Sequence, residues 1–202
     1  MQQFSADYIF SGNAAPIKNG VVIVDDKGVV LDVLNPMVDE INWDNVKKYE
    51  GIICSGFVNT HCHLELSYLK EQLSENTQLH GFIEEIISKR DLFTEEIKQQ
   101  AIIEAENEML NNGIVAVGDI SNGISTFELK SKNKLYYHTF VEVFGSDPNI
   151  ANQAFTHALE VYNNYFDKNK ASITPHATYS VSDKLTQLVN QHCIENNSLV
   201  SI

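Results

Sequence analysis

Gly56-Phe57-Val58-Asn59-Thr60-His61-Cys62-His63-Leu64-Glu65 is the stretch whose reading decides the fold. Phe57 to Thr60 reads as a short strand that delivers His61 and His63 at its carboxyl end. Strand side chains alternate, so two histidines two residues apart project to one face. Two imidazoles side by side suit one divalent transition metal, such as zinc or iron, far better than calcium or magnesium. A bare His-x-His is nevertheless a weak signal, and it also reads as two surface or core histidines that merely alternate. Leu64-Glu65-Leu66-Ser67 then opens a loop whose groups can line a pocket.

Upstream, residues 1 to about 55 read as short strands and turns. Asp7–Phe10, Gly20–Val24 and Gly28–Leu34 are β-rich, and Asp25-Asp26-Lys27-Gly28 is a hairpin turn signal between the last two. Downstream, the pattern changes to alternating strand and helix. Leu79, Phe82, Ile83, Ile86 and Ile87 fall at helical spacing. Thr94 caps a helix to Asn112, with Glu95 and Glu96 in its first turn and Gly113 as its stop. Ile114–Asp119, Tyr136–Phe144 and Ala171–Pro175 read as strands. A helix around Ala154, Phe155, Ala158, Leu159 and Tyr162 precedes the last of these. Ser182 caps a further helix, and Leu199–Ile202 starts one more strand. Strands alternating with helices predict parallel βαβ units, in a (β/α) barrel or an open doubly wound sheet.

Two motifs together carry a family resemblance. With Ile52-Ile53-Cys54-Ser55 in front, the histidine stretch resembles the first barrel strand of the amidohydrolase superfamily of metal-dependent hydrolases. Ser55 stands where that strand usually has proline. Thr174-Pro175-His176-Ala177-Thr178-Tyr179-Ser180-Val181-Ser182 places a histidine at a strand's carboxyl end, where barrel enzymes hold functional groups; a structural histidine bonding its own turn is the other reading. This segment resembles the Pro-His-Ala-Pro-Tyr-Ser/Thr motif of the superfamily's deaminase and chlorohydrolase branch. His61-Cys62-His63-Leu64-Glu65-Leu66-Ser67, continuing to Leu79 and Phe82, looks most like the aminofutalosine and adenosine-type deaminases.

The resemblance implies an α/β fold: the amino-terminal half of a (β/α)8 barrel over residues 56–202, preceded by part of a small β-sandwich over 1–55. It implies one divalent metal, zinc or iron, held by His61 and His63, and a substrate contact by His176. The branch uses no carbamylated lysine on its fourth strand, and no lysine stands at 173–176 here. Its remaining groups are a fifth-strand histidine, a glutamate three residues later, a sixth-strand histidine and an eighth-strand aspartate. These would lie beyond Ile202. The expected parent reaction is hydrolytic deamination of a nucleobase- or nucleoside-like ring, with the 202-residue chain itself inactive. Hydrolysis of a cyclic amide or chlorinated ring is the alternative within the superfamily. A non-catalytic metal-binding or interaction module, complete as it stands, is the alternative outside it.

Other candidates are weaker. Glu142, in an apolar strand, must face the barrel mouth or find a partner, because burying it unpaired is costly. Glu65 either contacts substrate hydroxyls or caps its loop. Asp119 and Ser121 reach the same rim. Tyr179 and Phe144 could stack on a planar ring, though core packing is their default. His80, His138, His157 and His192 read as surface or satisfied core residues, and Lys130–Lys134 as a solvated loop.

A net charge of −13 argues against nucleic acid or an anionic membrane surface as partner. An apolar content of 43% with 20% charged residues argues for a real core and against disorder. Cys54, Cys62 and Cys193 follow no CxxC spacing, so neither a disulfide framework nor a zinc finger is expected. No signal-peptide pattern and no apolar run near the ~20 residues of a spanning helix is seen, which predicts a cytoplasmic protein acting on a small molecule. The strand edges of a half-barrel, at Phe57–Thr60 and Leu199–Ile202, predict either self-association into a homo-oligomer or instability alone.

Overall fold

The computed structural model describes residues 1–201. The chain divides into two compact units, Met1–Gly56 and a second from Phe57 onward.

The first unit holds β1 (Gln2–Ser5), β2 (Tyr8–Phe10), β3 (Ile17–Lys18), β4 (Val21–Val24), β5 (Val30–Leu34), β6 (Val46–Lys48) and β7 (Ile52–Cys54). They form a sheet of order β5-β4-β1-β6 and a second of order β3-β2-β7. The hairpin turn between β4 and β5 is built by Asp25, whose Oδ1 accepts from the N–H groups of Lys27 and Val29 at 2.8 Å each. Gly28 sits there at φ +83°, a conformation that favours glycine. Ala6, Ile9 and Val22 form the small core, with Ile17, Val24, Val33 and Ile53 packed against it. Four strands escape the sequence reading, β1, β3, β6 and β7. Each has four residues or fewer, too short for alternation to register.

The second unit is a parallel sheet of order β11-β10-β9-β8, built from β8 (Phe57–Cys62), β9 (Ile114–Ser121), β10 (Tyr136–Val143) and β11 (Ala171–Pro175). Its helices are α1 (Gln78–Lys89), α2 (Glu95–Asn111), α3 (Phe127–Ser131), α4 (Ala151–Asn164) and α5 (Asp183–Asn196). Each strand is thus followed by helix, as the alternating pattern predicts. Thr94 and Ser182 cap α2 and α5 through their side-chain oxygens, and Gly113 ends α2 at φ +78°. The main core lies between β10, β11, α4 and α5, around Val141, Ile173, Ala158 and Leu185. A second cluster packs β9 against α2 through Val117, Ile102, Leu64 and Tyr137.

Two expectations need correction. Leu199–Ser201 forms no strand, and Ile202, which completes the expected fifth strand, lies outside the described residues. The segment instead meets β11 through a side chain: the Ser201 N–H donates to Thr174 Oγ1 at 2.9 Å. Nor is Lys130–Lys134 simply a solvated loop. Phe127–Ser131 is helix α3, and Lys130 is fully enclosed at 1% exposure. Lys134 reaches the buried Glu106 carboxylate at 3.4 Å.

No helix among the described residues is long and apolar enough to cross a membrane.

Candidate active site

The carboxyl ends of the parallel strands gather the polar groups, as sheets of this topology require. At β8 the register against β9 slips. Asn59 pairs with Val117 but Cys62 with Asp119, so β8 carries an extra residue in the Thr60–His61 interval, within the stretch that presents the histidine pair. Such a bulge re-aims the side chains that follow it. Gly118 on β9 makes room for it, because a Cβ there would stand 2.7 Å from the Thr60 carbonyl oxygen. His61 falls within this irregular interval and His63 just after it, and their rings lie with centroids 5.2 Å apart, edge to face.

Cys62, between them, turns to the opposite side and packs with the cluster around Leu64, Ile102 and Val117. Burial, and then the Asp119 charge, push its thiol up to about 12. In this surrounding it is a protonated, inert core thiol.

Behind the pair lies a closed ionic network that the sequence reading missed. Asp119 and Lys130 are both fully buried, with Oδ2 and Nζ 2.5 Å apart. Lys130 Nζ also donates to Ser121 Oγ at 3.1 Å and Thr139 Oγ1 at 3.0 Å. The rings of Phe127, Tyr137 and Tyr165 surround it with centroids between 5.6 and 5.9 Å away. Asp119 Oδ1 accepts from the Leu64 N–H at 2.8 Å. That bond fixes the backbone immediately after His63, so the network holds the turn that presents the histidine pair. Asp119 and Ser121 thereby face this network rather than an open rim.

In front of His63 is a cavity of about 860 Å³ bordered by His63, Asn122, Glu142, His176 and Tyr179, with α1 residues such as Phe82 and Ile83 on its apolar side; His61 is not among the residues that border it. His63 is half-buried, and its Nδ1 is enclosed without a hydrogen-bond partner. Burial first, and then the neighbouring His61 and His176, hold His63 below the usual histidine range, against the opposing pull of Glu142 and Asp119. His61 is exposed.

Glu142 has both a cavity position and a partner: Asn122 Nδ2 donates to its Oε2 at 3.1 Å. Asn122 is in turn held by Glu65, whose carboxylate accepts from the Asn122 N–H at 3.0 Å and the Gly123 N–H at 3.3 Å. Glu65 thus caps the loop after β9. Burial raises its pKa in spite of those two bonds. His176 follows β11, and its N–H donates to the Val143 carbonyl at 2.9 Å. Phe144 and Tyr179 also border the cavity and are exposed.

The remaining histidines stand apart. His80 and His157 are exposed, each beside a glutamate on its own helix. His138 is half-buried and bonded to Ser172 Oγ at 3.0 Å. His192 packs edge-on to Phe155 and Tyr162, with centroids 5.9 and 5.1 Å away. Among the described residues, no group of three or more His, Cys, Asp or Glu side chains is arranged to hold a metal. The neutral, unpartnered His63 beside His61 fits an imidazole-ligated cation as one side of its coordination sphere.

Asn122 and Lys130 left no legible sequence signal. A loop asparagine and a lysine among other lysines look like surface.

No family model and no curated protein matches the chain. Solved structures do. Helicobacter pylori aminofutalosine deaminase, in complex with methylthio-coformycin, is similar with a TM-score of 0.77 at 21% identity, over 99% of this chain and 50% of that one. Guanine deaminase from C. acetobutylicum, with guanine bound, gives 0.72 at 15% identity over 98% and 52%. The zinc complex of the atrazine chlorohydrolase TrzN from Arthrobacter aurescens gives 0.73 at 13% identity over 99% and 52%. The chain shares the mixed α/β fold of these structures and spans about half the length of each.

Proposed function

We propose that this chain carries the amino-terminal part of a metal-dependent hydrolase that removes an exocyclic amine from a nucleobase- or nucleoside-like ring. The observation that carries the reading is the meeting of His63, Glu142 and His176, from the carboxyl ends of β8, β10 and β11, around one cavity, with the His61 ring beside His63. The fold shared with two deaminases and a chlorohydrolase supports it.

His61 and His63 would hold one zinc or iron ion; when bound, such a cation supplies Lewis acidity and lowers the pKa of water. The chain's own residues do the rest. Burial keeps His63 neutral and therefore competent as a ligand. Glu142, steadied by Asn122, meets an N–H of the ring or its amine. Glu65 holds Asn122 in place. His176 contacts the substrate from the end of β11, and the apolar residues of α1 cover the ring and exclude water. A cavity of about 860 Å³ lies within the range of small-molecule sites. The substrate is a small molecule, and the protein acts in the cytoplasm.

Zinc titration of the purified chain, followed by elemental analysis, tests the ligand assignment. Saturable binding should weaken in His61→Ala and in His63→Ala by more than the roughly 10–100-fold that loss of an outer partner costs. Unchanged zinc content in the double variant would overturn the assignment. Ammonia release from adenosine or guanine by the longer parent protein, suppressed by a chelator, tests the reaction; the 202-residue chain alone is expected to release none.

A further inference from the structure

The neutral form of His176 has its proton placed by a neighbour. His176 Nδ1 lies 2.8 Å from Ser180 Oγ, and the same Oγ lies 3.0 Å from the Ala177 carbonyl oxygen. A hydroxyl has one proton to donate, and a carbonyl oxygen only accepts. Both contacts are satisfied together only if Ser180 Oγ–H points at Ala177 and the imidazole donates its own Nδ1–H to the Oγ lone pair. A neutral imidazole carries one ring proton, so Nε2 is then a bare acceptor.

The Ser180 side chain is not needed to close the turn. The Ser180 N–H already donates to Ala177 O at 3.1 Å, and the Gly145 N–H donates to Ser180 O at 2.8 Å. The hydroxyl is thus an added feature, directed at the ring. Tyr179 stands edge-on to His176 with centroids 6.2 Å apart, which narrows the ring's swing. The ring borders the same cavity as Glu142 and His63.

We propose that Ser180 is a positioning residue that fixes neutral His176 as the Nδ1–H tautomer, so that Nε2 is presented to the cavity as a hydrogen-bond acceptor. The complementary ligand group is an N–H or O–H donor, such as an amine or hydroxyl, rather than a carbonyl or phosphate oxygen. This deepens the deaminase reading, on which the name of the ligand group rests; the tautomer itself is independent of it.

Long-range ¹H–¹⁵N spectra of the ¹⁵N-labelled full chain test it directly, recorded at about pH 8 and repeated at a higher pH to select the neutral-ring signals. The His176 signals are assigned by their loss in His176→Gln. The wild type should show a protonated Nδ1 and an unprotonated Nε2. Ser180→Ala should move the population toward the Nε2–H form that free histidine prefers in water, with backbone amide signals away from residues 176–182 unchanged. Ser180→Thr, which keeps the hydroxyl, should retain the wild-type pattern. A wild-type ring already in the Nε2–H form, or a tautomer ratio unmoved by Ser180→Ala, would overturn the proposal. Failure of the deaminase reading would appear separately, as absent zinc binding with the tautomer pattern intact.

Discussion

The two sides of the His61-Cys62-His63 turn obey opposite rules. Behind it, Asp119, Lys130, Ser121 and Thr139 are buried, and their polar atoms are joined in one network. In front, His63 keeps an unpartnered ring nitrogen, and Glu142 and His176 border open volume. A buried charge without a partner is costly, so the rear must be closed for the chain to fold. Groups left with spare hydrogen-bonding capacity are retained where something else is to meet them. The rear therefore reads as scaffold, and the chemistry proposed for this chain falls to the front, with the Leu64 N–H to Asp119 bond joining the two.

The largest effect should come from breaking the rear. Lys130→Met leaves the Asp119 carboxylate buried and uncompensated, and should cost about 3–5 kcal/mol of stability in urea unfolding. Replacing both partners, as in Asp119→Leu with Lys130→Met, should recover much of that loss, because no charge is then stranded. A single-variant cost below about 1 kcal/mol would show that the rear is not a closed network, and the contrast would fail.

The front of the site was legible in the sequence and the rear was not, for a physical reason. His61, His63 and His176 stand at strand ends within local patterns, where two-residue alternation and turn chemistry fix their placement. Thr94 and Ser182 announce their helices by capping, which is also local. Lys130 is different. Its burial depends on Asp119 from β9, Thr139 from β10 and a ring of aromatics, and no spacing within 130–134 encodes that meeting. Gly118 likewise looks like an ordinary glycine before Asp119, until the β8 bulge brings the Thr60 carbonyl against it. The short strands β1, β3, β6 and β7 were lost because pairing defines them, while their length carries no periodicity.

The seam between rear and front can be attacked at Gly118. An alanine Cβ there must displace the Thr60 backbone or the bulge itself, with the Phe140 ring also close at 3.3 Å. Overpacking of this kind costs about 1–3 kcal/mol. If the bulge aims the histidine pair, Gly118→Ala should weaken zinc binding as well as stability. Lost stability with zinc affinity intact would uncouple the two sides. Within the front, Asn122→Ala removes the donor to Glu142 and should cost about 1 kcal/mol, a typical single hydrogen bond. The Glu65 bonds to the loop backbone should survive it, since they use main-chain N–H groups. Urea midpoints and the amide signal of Gly123 would report both.

The smallest effect is one of pH, and it sharpens the contrast because it uses histidines that belong to neither side. Burial lowers the pKa of His138, and likewise that of His192, where Glu195 opposes it only in part. Each ring therefore binds its proton more weakly in the fold than in the unfolded chain, whose reference value is 6.5. Below that value the unfolded state holds more protons, so stability rises with pH across the window and falls on acidification. At neutral pH both states are unprotonated and the penalty is absent. The rings are only partly buried, so solvent screening should keep the loss below about 1 kcal/mol per ring. Urea unfolding between about pH 7.5 and about pH 5 should show this slope. His192→Phe fills the same aromatic slot against Phe155 and Tyr162 and should flatten part of it, with little change near neutrality. A slope that His192→Phe leaves untouched would assign the acid sensitivity to His138 or to His63 at the front of the site.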